Sequence, residues 1–267
     1  MKFENKGKWL NQIHESIKKN RDNVVVVEST QMNEDKSFKD LNLDTGKGAI
    51  WANSQGLTSL EGSPQKIDTS FFCNNNKLTS LKGGPQEVFS FNCSNNQLTS
   101  LEGGPTKCEF SYDCSDNKLT SLKGAPERVG SAFNCNNNKL KNLIGAPNYV
   151  GAEFRCNNNG LTSLEGGPKY VGTFDCEKGN KITSLKGCPE VCFWNFNFNI
   201  DYLKSIDELD YLPRNVYEEF YLFSNKWTPE LEQQVFDKLM SLKKAKRFKV
   251  GKKVHFNYKV IKLTNRK

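Results

Sequence analysis

The feature that most constrains this chain is a unit of 20 or 21 residues that recurs through most of its length. The stretch CNNNKLTSLKGGP, from Cys73 to Pro85, returns with small changes from Cys93 to Pro105 and from Cys135 to Pro147. A single such unit cannot bury its apolar side alone, so the units are expected to stack as the coils of a solenoid. The first leucine position of the successive units falls at Leu57, Leu78, Leu98, Leu119, Leu140, Leu161, Ile182 and Leu203.

Each unit also carries an aromatic residue, a cysteine two positions later and an asparagine that follows the cysteine. Residues two apart lie on the same side of a strand, so the aromatic residue and the cysteine are predicted to face the core together. Clear copies are Phe71/Cys73/Asn76, Phe91/Cys93/Asn96, Tyr112/Cys114/Asn117, Phe133/Cys135/Asn138, Phe154/Cys156/Asn159 and Phe174/Cys176/Asn180. Degenerate copies, which bring the total to nine, are Ile50/Ala52/Gln55, Trp194/Phe196/Asn199 and Phe220/Leu222/Asn225.

The remaining residues of the unit predict how each coil turns. An asparagine amide both donates and accepts hydrogen bonds, so it can satisfy backbone groups where the strand ends. Asn-Asn-Asn runs such as Asn74–Asn76 are typical of tight turns. Pro85 and its equivalents fix φ on the connecting arc, and the Gly-Gly or Gly-Ala pair before each proline permits the bend.

The combined pattern VxxFxCxxNxLTSLEGxP resembles the short leucine-rich repeat of bacterial and tailed-phage proteins. The resemblance covers about Ala49 to Trp227, roughly two-thirds of the chain. It implies a repeat solenoid with a parallel β-sheet on the concave face and extended or turn-rich arcs on the convex face. Residues 46–227 are therefore assigned to a leucine-rich repeat solenoid of about nine coils.

The terminal coils of a solenoid expose an apolar face, so caps are expected at both ends. Residues 1–45 are assigned to an N-terminal cap, in which a short helix precedes the extended stretch NVVVVES. Residues 228–247 predict a C-terminal capping helix with Thr228 as its N-cap and Pro229 in its first turn. Its apolar stripe would be Leu231, Val235, Leu239 and Leu242. Residues 248–267 are left as a basic extension.

The residue types argue against catalysis. The 2 histidines, His14 and His255, lie outside the repeats, so a Ser-His-Asp or Cys-His arrangement on the solenoid is not expected. There is no Gly-rich phosphate loop and no His-Glu-x-x-His motif. The cysteines form an even series in core register, whereas metal sites use clustered ligands. We expect no enzyme activity, no cofactor and no bound metal.

The residue between the aromatic residue and the cysteine should lie on the exposed side of the sheet. Several copies carry asparagine there, but the ends of the series carry aromatic residues and its centre carries charges. Exposed aromatic residues and arginine dominate the energetics of protein interfaces. A competing interpretation is that the N-terminal segment covers the aromatic residues at the first end. The predicted protein-binding residues of the concave face are Trp51, Phe72, Asp113, Arg155, Asp175, Tyr221 and Phe223.

The net charge of +8 is concentrated at the C-terminus, because residues 238–267 contain twelve Lys or Arg and no Asp or Glu. Val254, Phe256, Tyr258 and Val260 alternate with polar residues there, which predicts a strand. The segment could bind nucleic acid through phosphate contacts, dock on an acidic protein surface, or simply keep the chain soluble. The basic residues singled out are Lys246, Arg247, Lys249, Lys252, Lys253, Lys259 and Lys262.

The first residues, MKFENKGKWLNQIHES, are similar to the capsid-targeting peptides of large tailed phages. Those peptides are short, basic and amphipathic, and are cut after a Leu/Ile-x-Glu tripeptide. Ile13 and Glu15 fit that tripeptide, so they mark a candidate processing site. The alternative is a helix that caps the solenoid.

Two functions from different classes remain open. The chain is either a non-enzymatic protein-binding module, plausibly phage-encoded, that captures a host protein in the cytoplasm, or a virion component held by its N-terminal segment or basic tail. No membrane association is expected, because no apolar run approaches the length that spans a bilayer.

Overall fold

The computed structural model describes residues 37–38, 48–257 and 259–263, together with the backbone of Val24–Val26. Within this part the chain forms a 17-stranded sheet. Its strands pair in parallel, except for the last two, β16 and β17, which are antiparallel. The strands are β1 (Val24–Val26), β2 (Ala49–Trp51), β3 (Lys66–Phe72), β4 (Glu87–Asn92), β5 (Lys107–Cys108), β6 (Tyr112–Asp113), β7 (Arg128–Val129), β8 (Phe133–Asn134), β9 (Tyr149–Arg155), β10 (Tyr170–Cys176), β11 (Val191–Cys192), β12 (Phe196–Asn199), β13 (Asn215–Val216), β14 (Glu219–Phe223), β15 (Lys249–Val250), β16 (Lys253–Phe256) and β17 (Lys259–Ile261).

Successive coils stack in register, which confirms the repeat solenoid. Phe133 pairs with Phe154, and Phe154 in turn with Phe174, as neighbours on parallel strands. Their rings stack 5.6 and 5.7 Å apart with planes tilted by only 9° and 2°. Offset stacking of this kind adds to the stabilisation that burial of the rings provides. We call this series the aromatic column, although an aliphatic residue stands at each end of it. Its members, all buried, are Ile50, Phe71, Phe91, Tyr112, Phe133, Phe154, Phe174, Phe196, Phe220 and Val254.

The cysteines form a second buried column beside the rings, as predicted. Cys135 is completely buried, and its thiol donates to the carbonyl of Arg155 in the next coil at 3.2 Å. The column changes in the last coils, where Phe198 pairs with Cys176. The column members are Ala52, Cys73, Cys93, Cys114, Cys135, Cys156, Cys176, Phe198, Leu222 and Phe256.

The alignment of one degenerate copy was wrong by two residues. Phe196, not Trp194, pairs with Phe174 in the aromatic column, and Phe198 takes the cysteine position. Trp194 lies 20 residues after Phe174, a step that matches the repeat, so the sequence favoured it. The coil is longer than that because an additional residue precedes Asn180.

A third column consists of buried asparagines that join neighbouring coils. Asn117 donates from Nδ2 to the carbonyl of Cys93 in the preceding coil at 3.0 Å and to that of Cys114 in its own coil at 3.2 Å. Its Oδ1 accepts from the amide of Leu98 at 3.0 Å. Asn96 and Asn138 repeat this pattern, so the predicted use of both ends of the amide is confirmed.

The turns explain two further parts of the repeated unit. Asn137 adopts a φ of 55°, the left-handed region that asparagine tolerates better than most residues. Gly124 adopts a φ of 96°, and a Cβ there would lie 2.4 Å from backbone atoms of the preceding coil. Only glycine fits such a position, which accounts for the Gly-Ala pair before Pro126.

Two helical elements occupy the arcs of the last coils. A 3-10 helix spans Ile206–Tyr211, and helix α1 spans Pro229–Lys244 with Thr228 as N-cap. The Thr228 hydroxyl accepts from the amide of Leu231 at 3.1 Å, as the sequence predicted. Lys238 ties the two elements together by bonds to Asp207 and Asp210 at 2.9 and 3.1 Å. The buried side of α1 is formed by Val235, Phe236, Leu239 and Leu242.

The C-terminal residues belong to the sheet and are not a separate extension. β15 pairs with β13, and β16 pairs with β14, so another row of the solenoid follows helix α1. Phe248, Val254 and Phe256 are buried in this row. The predicted strand is present, but it is divided between β16 and the antiparallel β17. Helix α1 therefore precedes the last row of the sheet and does not end the chain's folded part.

At the opposite end, β1 pairs in parallel with β2, which confirms a strand within the stretch NVVVVES. Phe38 is completely buried and its ring lies 5.5 Å from that of Phe71. The predicted N-terminal helix and the tripeptide at Ile13 and Glu15 lie outside the described residues.

Candidate functional site

The exposed side of the sheet is the candidate site. It is formed by the residues that follow the aromatic column, and we call this row the outer face. Some of its members serve the fold: Oδ1 of Asp113 accepts from the amide of Ser115 at 2.9 Å, and Asn92 does the same for Ser94 at 3.0 Å. The outer face comprises Trp51, Phe72, Asn92, Asp113, Asn134, Arg155, Asp175, Asn197, Tyr221 and His255.

The first end of the outer face carries two aromatic residues. The Trp51 and Phe72 rings meet edge to face, with centroids 5.2 Å apart. Trp51 is 45% exposed and Phe72 is half-buried. Most of the N-terminal segment that the competing interpretation places over these rings lies outside the described residues. A large indole held at this exposure by a neighbouring ring is the kind of anchor that dominates interface energetics.

The centre of the outer face carries a cluster of charges. Arg155 forms an ion pair with Glu153, which lies two residues earlier on the same strand β9. Asp175 stands beside Arg155 on β10 and accepts a hydrogen bond from Asn157 at 2.9 Å. Burial raises the pKa of the Asp175 carboxyl above its usual value, although the Asn157 bond and Arg155 oppose the rise. A partner that supplies a cation or a donor would therefore offset the desolvation of Asp175.

The last end of the outer face combines an aromatic stack with a shared carboxylate. The Tyr221 and His255 rings stack with centroids 4.2 Å apart. Glu219 accepts a hydrogen bond from the Tyr221 hydroxyl, and its Oε2 also lies 3.2 Å from Nε2 of His255. The bond to Glu219, with a smaller contribution from burial, raises the pKa of Tyr221 to about 12. The same bond lowers the pKa of Glu219.

Two residues of the site differ from the prediction. Phe223 packs beside Tyr221 with only 9% of its surface exposed, so it supports the outer face more than it contacts a ligand. His255, which the sequence analysis assigned to the basic extension, is a member of the outer face, although only 7% of its surface is exposed. The strand predicted from Val254 and Phe256 could have placed His255 in the sheet, but alternation does not account for its being buried like both neighbours.

A second exposed row, which the sequence analysis missed, lies further back along the strands. Tyr149 is covered by the guanidinium of Arg128 at 4.2 Å from its ring centre, and Phe193 lies between Tyr149 and Tyr217. Tyr149 precedes the buried Val150, Phe193 follows the buried Cys192, and Tyr217 follows the buried Val216. Alternation around Val150, Cys192 and Val216 would have predicted their exposure.

The basic residues of the C-terminus are exposed on the last row of the sheet. Lys252 pairs with Glu218 at 3.4 Å, Lys259 with Glu232 at 3.1 Å and Arg247 with Asp210 at 3.4 Å. Acidic residues of neighbouring coils therefore neutralise part of the segment. Lys246, Lys249, Lys253 and Lys262 are exposed as well and form no ion pair in the part of the chain that the structure describes.

The buried thiols are poor nucleophiles. All nine cysteines are unpaired, and all but Cys188 are buried. Burial raises the pKa of Cys108 to about 12 and also raises the pKa values of the column members Cys114 and Cys135. Reactivity follows the thiolate, so these groups are unreactive at neutral pH in the folded chain.

The described residues contain no group of three or more His, Cys, Asp or Glu side chains that could hold a metal ion. None of their helices has the length and apolar character needed to cross a bilayer. No protein-family model, curated protein or solved structure matches the chain.

Proposed function

We propose that this protein is a non-enzymatic binding protein of the leucine-rich repeat type, which recognises a protein ligand along its outer face. The observation that carries the proposal is the uneven composition of this row. Trp51, which is 45% exposed, stands at one end and the half-buried Tyr221 at the other, and the charged residues Arg155 and Asp175 lie between them. If the outer face served only the fold, asparagine, which occupies several of its positions, would be sufficient at the others as well.

The dimensions of the row favour a macromolecular ligand. Trp51 and Tyr221 are eight strand positions apart, which corresponds to about 38 Å at the usual spacing of paired strands. A small molecule contacts only a few neighbouring strands, whereas a protein surface or an extended polypeptide reaches both ends. The central charges would then fix the register of the ligand, and the aromatic ends would contribute most of the affinity.

The proposed setting is the cytoplasm of a bacterial host, and the proposed source of the protein is a phage. The alternative is a structural or internal virion protein that is held through its N-terminal segment or its basic C-terminal residues. Determination of the N-terminal sequence of mature protein separates the two, because cleavage after Glu15 is expected only for a packaged protein.

Affinity purification from lysate of the host, at low and high salt, tests the binding function. The variant Trp51→Ala/Arg155→Ala is compared with Tyr202→Ala/Lys139→Ala. This control removes an aromatic residue of equal exposure, 45%, and an exposed lysine, both outside the outer face. A partner that is retained by the control and lost by the outer-face variant in both salts is expected. Equal retention by the two variants would contradict the proposal.

A further inference from the structure

The last row of the sheet borders a cleft with an apolar floor and a basic rim. The cleft has a volume of about 350 Å³, and Phe248, Val250 and Val254 form part of its floor. No acidic residue of the described chain lines it. The lysines of the rim are Lys243, Lys252, Lys253 and Lys262.

The cleft lies against an unpaired strand edge. Among the described strands, β15 pairs only with β13. The amides of Lys249 and Gly251 donate to the carbonyls of Arg214 and Val216 at 2.9 and 2.8 Å, and thus point towards β13. Successive backbone groups of a strand point to opposite sides, so the amide and the carbonyl of Val250 point to the open edge. This edge can accept another strand.

We propose that this edge binds an acidic peptide segment in extended conformation, which adds to β15 as a further strand. In such an arrangement, main-chain hydrogen bonds supply affinity and alternate side chains supply specificity. One set of side chains would pack on Val250, which is only partly buried. The acidic set would meet Lys253 and Lys262, which form no ion pair within the described chain.

The competing occupants fit less well. Residues 264–267, the sequence TNRK, carry two basic residues and no acidic residue, so they do not complement a lysine rim. A nucleic acid would satisfy the lysines, but its backbone offers no amide to the carbonyl of Val250 and no apolar side chain to the floor. An acidic peptide matches the charge, the floor and the unpaired edge together.

The probe is a fluorescein-labelled nine-residue peptide in which Asp or Glu alternates with Val, measured by fluorescence anisotropy on the full chain at about 0.15 M salt, where exposed charges are partly screened. Two further peptides carry N-methyl groups on alternate amides, one on the odd residues and the other on the even residues. Strand addition uses only one edge of the peptide, so one methylated peptide should lose at least tenfold in affinity and the other should change less than threefold. Equal affinities would overturn the proposal, whatever the behaviour of any variant.

Two variants locate the site. Lys253→Glu/Lys262→Glu should weaken binding at least tenfold, whereas Lys77→Glu/Lys139→Glu, which changes two exposed lysines of the central coils, should change it less than twofold. Binding of a single-stranded oligonucleotide of the same charge as tightly as the peptide would contradict the peptide assignment. Trp51→Ala/Arg155→Ala should bind the probe normally, so failure at the outer face and failure at this cleft are distinguishable.

Discussion

The central coils and the last coils share one sheet but fill it differently. From Cys73 to Cys176 the second core column consists of cysteines, and an asparagine closes each coil. In the last rows the same column holds Phe198, Leu222 and Phe256. The lengths differ as well, because Phe196 to Phe220 spans 24 residues and Phe220 to Val254 spans 34.

The comparison shows which parts of the unit fix the coil. The aromatic column continues through both regions, so the strand register follows from it and from the parallel ladder. The asparagine column ends at Asp201, whose carboxylate accepts from Ser224 and Asn225 at 2.6 and 2.9 Å and cannot donate to carbonyls. Coils without the asparagine contain the 3-10 helix and helix α1 in their arcs. The small cysteine and the asparagine are therefore features of the coils that have a short arc, whereas the buried ring is a feature of the strand in both kinds of coil.

The largest expected effect comes from removing an asparagine of the central column. Asn117→Leu would leave the buried amide of Leu98 without its partner. The carbonyls of Cys93 and Cys114 would lose one of their two bonds and keep those from Asn96 and Asn138. One buried unpaired group costs about 1–3 kcal/mol and each of the two lost hydrogen bonds about 1 kcal/mol, so a loss of about 3–5 kcal/mol is expected in urea unfolding.

Asn225→Leu is the matched control, because Asn225 occupies the equivalent place in a late coil, is exposed and bonds to Asp201 at 2.9 Å. We expect it to cost less than about 1 kcal/mol, as for an exposed polar contact. Similar losses in both variants would show that the asparagine column is not specific to the short coils.

A second prediction concerns the access of reagents to the thiols. Cys188 lies in the arc that follows Cys176 and is half-buried, whereas the other eight cysteines are buried. Burial raises the pKa of Cys188 as it does those of Cys114 and Cys135, so a difference in rate is expected from the access of the reagent alone. At pH 8 a thiol-specific chromogenic disulfide should modify Cys188 at least about a hundredfold faster than the other eight, which react only after unfolding. Cys188→Ser is the control and should remove the fast phase. A fast phase of several thiols would mean that the central coils open readily.

The sequence was sufficient for the repeat unit and insufficient for the last row of the fold. Period, register, asparagine bonding and the N-cap at Thr228 all follow from local residue types, which act in the same way in every coil. The row formed by β15 and β16 lies after helix α1, and its pairing with β13 and β14 depends on contacts distant in sequence. Its leading residues, Val250 and Val254, lack the aromatic and cysteine pattern, so nothing local identified them as another coil.

The sequence predicted most of the residues that lie on the outer face, but not all of the contacts between them. The rule that the residue between two core positions is exposed placed Trp51, Phe72, Arg155 and Asp175 correctly. It could not identify Glu219, because that residue precedes the aromatic column and acts only through its contacts with Tyr221 and His255. Such contacts depend on how neighbouring coils stack, which the spacing of one unit does not encode.

A third, smaller effect tests why the central column is cysteine. Cys135→Leu enlarges a completely buried side chain between Cys114 and Cys156, and overpacking of this kind typically costs about 1–3 kcal/mol. Cys135→Ala should cost less, because it removes only the sulfur. The two variants are compared by urea unfolding. If Leu is tolerated at position 135, as it is at position 222, then the short coils do not require a small residue at this position of the core.

The smallest effect distinguishes the carboxylate at the C-terminal end of the outer face, Glu219, from the carboxylate at its centre, Glu153. The hydrogen bond to Glu219 favours the neutral form of Tyr221, and this raises the pKa of Tyr221 to about 12. In Glu219→Gln the carboxylate charge is gone, so the pKa of Tyr221 should fall towards its usual value of about 10. Tyrosine ring-carbon chemical shifts, followed by NMR between pH 8 and 12.5, measure this change. Glu153→Gln, which removes the central ion-pair partner of Arg155, should leave Tyr221 unchanged.

The sign of the effect also fixes its pH dependence. A raised pKa means that the bond stabilises the fold while tyrosine is neutral in both states, below about pH 10, and that the stabilisation is lost as the pH rises through about 12. The difference in urea midpoint between the wild type and Glu219→Gln should therefore be constant at pH 7–9 and shrink above pH 10. A difference that instead grows above pH 10 would show that Glu219 holds Tyr221 by something other than this bond. Glu153→Gln changes the ion pair of Arg155 and not the bond between Glu219 and Tyr221, so it is the reference against which the C-terminal end is compared.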